Sequence, residues 1–151
     1  MAHAHPAPSL NRVALAATWH CLTGCAIGEI LGLAIASALD WGNAASIAIA
    51  VVLAFCFGYS LTLRPLVAGG VPLRRAVRVA FAADSVSITV MEIVDNAIVL
   101  LVPGAMAASL GDVVFWWSLG LGLALAFVAA FPVNRLLIAR GRGHAAVHAY
   151  H

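Results

Sequence analysis

Charge is the scarcest feature of this sequence. Only 9% of the 151 residues are charged, and lysine is absent, since all eight basic residues are arginine. A soluble domain is about a quarter charged and about half apolar, whereas this chain is 64% apolar with a mean hydropathy of +1.03. The net charge of +2 offers no extended basic surface. This excludes a nucleic-acid module, an ordinary cytosolic enzyme and a disordered tail, and predicts an integral membrane protein of one domain spanning residues 1–151.

Cysteine is also scarce, and the motifs of common enzymes are missing. Three cysteines spread over two apolar segments do not form a disulfide framework. A bond between Cys21 and Cys25 is disfavoured, because Cβ atoms four helical residues apart are separated by about 6 Å, against about 3.5–4.5 Å in a disulfide. We find no Ser-His-Asp set, phosphate loop or water-activating zinc motif, so we do not expect an enzyme.

Four apolar stretches are long enough to cross a bilayer as helices, which takes about 20 residues each. They cover approximately residues 13–39, 44–63, 77–102 and 113–138. A tight turn at residues 40–43, a Gly/Pro/Arg loop containing Arg74 and Arg75, and Pro103-Gly104 separate them. The sequence therefore predicts an all-α, four-helix membrane bundle.

The arginines set the predicted orientation. They lie before span one, in the second loop and its flanks, and at the end of span four: Arg12, Arg64, Arg74, Arg75, Arg78, Arg135, Arg140 and Arg142. The other side has Asp40 and Asp112, with Trp41, Trp116 and Trp117 as an aromatic belt. Because cytoplasmic loops are enriched in arginine, we expect both termini in the cytoplasm. The expected location is the inner (cytoplasmic) membrane of a bacterium, as a multi-pass protein.

Ionisable and sulfur-containing side chains concentrate on spans one and three. Cys21, Cys25 and Glu29 recur every four residues, so they share one helical face. On span three the inward stripe and its flank comprise Asp84, Ser87, Ile88, Met91, Glu92, Asp95 and Asn96. Both spans run in the same direction. Cys25 lies near the middle of span one and Met91 near the middle of span three. Glu29 is then expected at about the level of Glu92 and Asp95, and Cys21 at about the level of Asp84 and Ser85.

This mixture of donors suggests a path for a cation. Thiolates and thioethers are soft ligands that select Cu(I), and thiolates also bind zinc. The candidate metal ligands are Cys21, Cys25, Met91 and His20, and the candidate cation or proton path is Glu29, Asp84, Glu92, Asp95 and Asn96. His-rich ends at His3, His5, His144, His148 and His151 are further candidate metal binders. Packing is the alternative for the sulfur residues, since cysteine and methionine are common in cores.

Two segments of this sequence resemble those of a known protein family. The run from His20 to Glu29, together with the run from Met91 to Asn96, resembles a family of short bacterial membrane proteins known as a domain of unknown function. The resemblance covers nearly the whole chain, from about Trp19 to Arg140. It implies a four-helix integral membrane protein and marks these two segments as the functional pair, but it supplies no activity.

Three functions fit these features. The first is binding, with possible transport, of a soft transition-metal ion, copper before zinc, by a homo-oligomer. The second is proton-coupled transport of a small organic cation by the membrane carboxylates, with the cysteines serving only for packing. The third is a non-transporting metallochaperone or assembly factor. The expected partners are the lipid bilayer, the metal ion and a second copy of the chain, with no nucleic acid.

Overall fold

The computed structural model describes residues 9–140, which form four long α-helices. They are α1 (Leu10–Ala38), α2 (Asn43–Ala68), α3 (Leu73–Leu101) and α4 (Val113–Ala139), with a short 3₁₀ turn at Ala105–Ala107 before α4. No strand occurs in this part of the chain. The predicted all-α, four-helix fold is confirmed. The histidine-rich ends lie outside the described residues.

Helices α1, α2 and α4 are each long and apolar enough to cross a membrane. Helix α3 is as long as α1, at 29 residues. Because it contains arginines and carboxylates, it is not among the helices apolar enough to cross a membrane by composition. It packs against each of the other three helices. The bundle thus combines one polar helix with three apolar ones.

The helices form a ring in which α1 and α3 also meet across the middle. Each helix contacts its neighbour in the chain, and α4 returns to α1. One end, the arginine end, contains the starts of α1 and α3 and the finishes of α2 and α4, and it carries Arg12, Arg64, Arg74, Arg75, Arg78, Arg135 and Arg140. The opposite, tryptophan end carries Trp41, Trp116 and Trp117, all exposed.

Polarity is inverted relative to a soluble protein. Large apolar side chains point outward: Ile93 and Trp19 are each 65% exposed and Val128 is 67% exposed. The interior holds small apolar residues together with buried polar ones, namely Thr18, Thr62, Asp84, Ser87, Glu92, Asp95, Ser118 and Asn134. Such an exterior suits lipid, where ionisable groups instead face the bundle interior.

Glycines let α1 approach α2 closely and set its rotation. A Cβ built on Gly28 would lie 2.6 Å from Ala54 Cα, and one on Gly32 would lie 2.5 Å from Ala50 Cα. Real Cβ atoms do not approach backbone so closely, so this seam requires glycine. Cys25 and Glu29 follow Gly24 and Gly28 by one residue, about 100° around the helix. With the glycines against α2, the cysteine face is turned toward α3.

Two predicted boundaries change at the arginine end. Helix α2 does not stop at Arg64-Pro65 but continues to Ala68. Pro65 cannot donate the helical bond to the Leu61 carbonyl, yet the helix continues for three residues beyond it. The chain reverses at Gly69 and Gly70, and Gly70 has a φ of +84°. Arg74 and Arg75 therefore belong to the first turn of α3 rather than to a loop.

Candidate functional site

A column of sulfur and polar side chains runs along the α1–α3 contact. Near the arginine end, Cys21 Sγ donates to Asp84 Oδ1 at 3.8 Å, and neither residue has exposed surface. This contact matches the depth assigned to the two residues by counting along the helices. The cysteine stripe of α1 therefore faces the carboxylate stripe of α3, as the sequence predicted.

At the next level, two sulfur atoms face each other. Cys25 Sγ lies 4.0 Å from Met91 Sδ. Both residues are buried in an apolar cluster with Ala54, Ile88 and Ala126. Two sulfurs bound to one metal at about 2.3 Å, at an angle near 120°, would be about 4.0 Å apart. The pair therefore already has a spacing suited to a shared ion, although the same distance also suits an S–H···S contact.

Toward the tryptophan end the column becomes acidic. Glu92 is 5% exposed and Asp95 is 1% exposed, and both lie near enough to Glu29 for their charges to interact. Glu29 Oε1, Glu92 Oε1 and both oxygens of Asp95 have no hydrogen-bond partner among residues 9–140. Leaving a buried polar group unpaired costs about 1–3 kcal/mol. Such a cluster is therefore a candidate functional site rather than a stabilising one.

The acidic level opens into a cavity of about 80 Å³ at the tryptophan end. Its lining includes Glu29, Asp95, Asn96 and Ser118. Asn96 donates through Nδ2 to the main-chain oxygen of Glu92 at 2.8 Å, which directs its amide nitrogen away from any cation. The acidic part of the column is thus accessible from one end of the bundle.

Hydrogen bonds join three helices on the arginine side of the sulfur pair. Asn134 Nδ2 of α4 donates to Thr18 Oγ1 at 2.9 Å and to Ser87 Oγ at 3.0 Å. Thr18 in turn donates to the Ala14 carbonyl at 2.8 Å. We call Asn134, Thr18 and Ser87 the polar seal. This role of Asn134 was not predicted from the sequence; the available signal is an amide within a helix that is otherwise almost wholly apolar.

His20 is not brought to the sulfur pair. Its Nε2 lies 3.0 Å from Thr62 Oγ1 of α2, and the ring borders an outer groove beside Arg12 and Trp19. Thr62 also contacts Asp84, and no sequence pattern predicted this contact. Cys56 is exposed on α2, away from the column.

The column contains no conventional metal-binding group of three His, Cys, Asp or Glu side chains among the described residues. A site at the sulfur level therefore depends on the thioether of Met91 as well as on cysteine.

The fold and the buried column define a four-helix membrane-type bundle with a polar interior. The chain belongs to the family described as a domain of unknown function, DUF4396, whose pattern matches residues 10–143. This confirms the family resemblance seen in the sequence. No curated protein and no solved structure matches the chain.

Proposed function

We propose that this protein binds a soft transition-metal ion inside the membrane and moves it along the α1–α3 column, with Cu(I) the favoured ion and zinc the alternative. The observation that carries the proposal is the buried Cys25–Met91 sulfur pair, 4.0 Å apart. Soft sulfur donors select Cu(I) over harder ions. Cys21, one helical turn nearer the arginine end, is a second thiol ligand on the same route.

The neighbouring levels support conduction as well as binding. The carboxylates of Glu29, Glu92 and Asp95 provide negative charge between the sulfur pair and the open cavity, so a cation is attracted toward the sulfurs from the tryptophan end. The polar seal lies on the other side of the sulfur pair, toward the arginine end. Passage requires Asn134 to release Thr18 and Ser87, which makes the seal a natural gate.

The proposed setting is the inner membrane of a bacterium, with both termini in the cytoplasm. The support is the collection of arginines at one end of the bundle and of tryptophans at the other. A homo-oligomer is part of the proposal, because four helices whose interior is filled by side chains leave little room for a continuous pore. Helices of neighbouring copies would form the rest of the wall of the pore.

The experiment is a metal-content measurement on protein purified under reducing conditions. We compare the wild type with the Cys21→Ser/Cys25→Ser double variant, and we use Cys56→Ser as the matched control because Cys56 is an exposed cysteine outside the column. We expect near-stoichiometric copper or zinc in the wild type and the control, and none in the double variant. Absence of metal from the wild type after Cu(I) has been offered contradicts the proposal.

A proton-coupled transporter of a small organic cation is the second candidate, and the cavity beside Glu29 and Asp95 is the observation that favours it. The double cysteine variant separates the two, since it leaves such a transporter active and disables a copper pathway. A metallochaperone is separated by flux into vesicles, because a chaperone binds the ion without moving it across the membrane.

A further inference from the structure

We propose that the cavity at the tryptophan end is a separate site for a hard, oxygen-coordinated metal cation of the Na⁺, Mg²⁺ or Ca²⁺ class. The site has its own donor atoms, so it does not require that the sulfur pair bind copper. Its core is the carboxylate of Asp95, with Glu29 contributing from the facing helix.

Asp95 is the strongest single indication of a ligand. The residue is 1% exposed, both of its oxygens lack a hydrogen-bond partner among the described residues, and it lines the cavity. Glu29 lines the same cavity and also has an unpartnered oxygen, Oε1. No arginine or histidine of the described chain lines the cavity. Both residues therefore contribute to the wall of a cavity that no arginine or histidine of this part of the protein lines, and their unpartnered oxygens are buried in that wall.

The other donors available in the cavity are also oxygens. Asn96 lines the wall with its amide nitrogen committed to the Glu92 carbonyl, which leaves its Oδ1 as an acceptor. Ser118 is buried in the wall and donates its hydroxyl hydrogen to the Phe115 carbonyl at 3.0 Å, so its oxygen can still accept. Carboxylate, amide and hydroxyl oxygens are the ligands that hard cations prefer.

The size of the cavity fits a partly hydrated ion. It measures about 80 Å³, and one water requires about 10–15 Å³ by the same kind of measure. Several waters can therefore complete a coordination shell that the protein only begins. This matters because Mg²⁺ keeps part of its water shell when bound, and Ca²⁺ takes six to eight oxygens.

Helix α4 is shaped to hold Asp95 in position. Gly122 lies against the Asp95 carboxylate, and a Cβ added there would overlap Oδ1. A larger residue at position 122 would push the carboxylate out of its seat without changing any charge. The glycine therefore acts as a positioning residue for the site.

The test is equilibrium dialysis of the purified full-length protein in detergent against ²²Na⁺ and, separately, ⁴⁵Ca²⁺, with Mg²⁺ as a competitor. We expect saturable binding of at least one of these ions by the wild type. Asp95→Asn and Glu29→Gln should each weaken it by about tenfold or more, as expected when a charged ligand is removed. Gly122→Ala should weaken it too.

Asp40→Asn is the matched control, because Asp40 is an exposed carboxylate in the turn at the same end and does not line the cavity. Its affinity should equal that of the wild type. Saturable binding that persists in Cys21→Ser/Cys25→Ser shows that the hard site is independent of the sulfur pair; loss of binding in that variant contradicts a separate site.

Two results would overturn the proposal: no saturable binding of ²²Na⁺ or ⁴⁵Ca²⁺ by the wild type, or equal weakening by Asp40→Asn. An infrared measurement adds a readout that does not depend on affinity. Cation binding should shift the carboxylate stretching bands, and Asp95→Asn should remove part of that shift. The proposal would also be overturned if the infrared bands of protonated carboxyl groups stayed unchanged when each cation was added.

Discussion

The close α1–α2 seam predicts that Gly28→Ala destabilises the protein, although alanine is the better helix former. The new Cβ would lie 2.6 Å from Ala54 Cα and 2.9 Å from the Ala50 carbonyl oxygen. Carbon atoms in contact prefer about 3.5–4.0 Å, so the helices must separate by about 1 Å. Overpacking of this kind costs about 1–3 kcal/mol, and alanine recovers up to about 1 kcal/mol of helix propensity. We therefore expect a net loss of up to about 2 kcal/mol.

Reversible unfolding in mixed detergent micelles, followed by circular dichroism, measures this loss. Gly120→Ala is the matched control, because it makes the same change in a membrane helix but has nothing within 4 Å of the added Cβ. It should leave stability unchanged or raise it by up to about 1 kcal/mol. Equal stability of the two variants would refute the reasoning, since it would mean that the seam yields freely.

Three further predictions address the seal, a surface carboxylate and the sulfur pair. Asn134→Leu removes both hydrogen bonds of the seal and leaves two buried hydroxyls without their donor, so we expect a loss of about 1–3 kcal/mol in thermal unfolding; unchanged stability would argue against a closed seal. Hydrogen bonds from the Ser109 main chain and hydroxyl lower the pKa of Asp112 below its usual 3.8. Their contribution is therefore complete above about pH 4 and lost as the pH falls further, which Trp116 fluorescence should report in the wild type and not in Asp112→Ala. Met91→Leu keeps the volume but removes the thioether, so Cu(I) affinity should fall by about tenfold or more in a competition titration; an unchanged affinity would remove Met91 from the ligand set.

The depth of each level in the column was predictable from the sequence. Helices α1 and α3 both start at the arginine end and rise by the same 1.5 Å per residue. Counting from that end pairs Cys21 with Asp84, and the structure has this contact; the same count places Cys25 level with Ile88, whereas its sulfur meets Met91, three residues further along α3. Membrane proteins permit this inference because burying ionisable groups in lipid is costly, so their side chains turn toward the interior.

The lateral contacts were beyond sequence reasoning. Which side chain of α2 or α4 contacts the column depends on the rotation of each helix and on the spacing between helices. Small residues determine both, because their short or missing side chains allow the backbones to approach. The link from His20 to Thr62 depends on α2, and the seat of Asp95 depends on the missing side chain of Gly122. The sequence marked His20 as a candidate ligand because of its neighbours in the chain, whereas the α1–α2 seam turns it toward Thr62.

Helix α2 illustrates a different error. The predicted second span ends at residue 63 because Arg64 and Pro65 follow, and proline commonly terminates helices. Pro65 cannot donate a bond to the Leu61 carbonyl, but the helix tolerates this loss and continues to Ala68. The glycine pair that follows ends the helix instead, with Gly69 N–H donating to the Pro65 carbonyl at 2.9 Å.

Copper K-edge X-ray absorption of the full-length protein loaded with one equivalent of Cu(I) tests the central claim most directly. A site at the Cys25–Met91 pair predicts a first shell of sulfur at about 2.3 Å, which should lose a sulfur scatterer in Met91→Leu and stay unchanged in Cys56→Ser. A first shell of nitrogen or oxygen, or a sulfur shell that persists in Cys21→Ser/Cys25→Ser, would contradict a soft-metal site in this column.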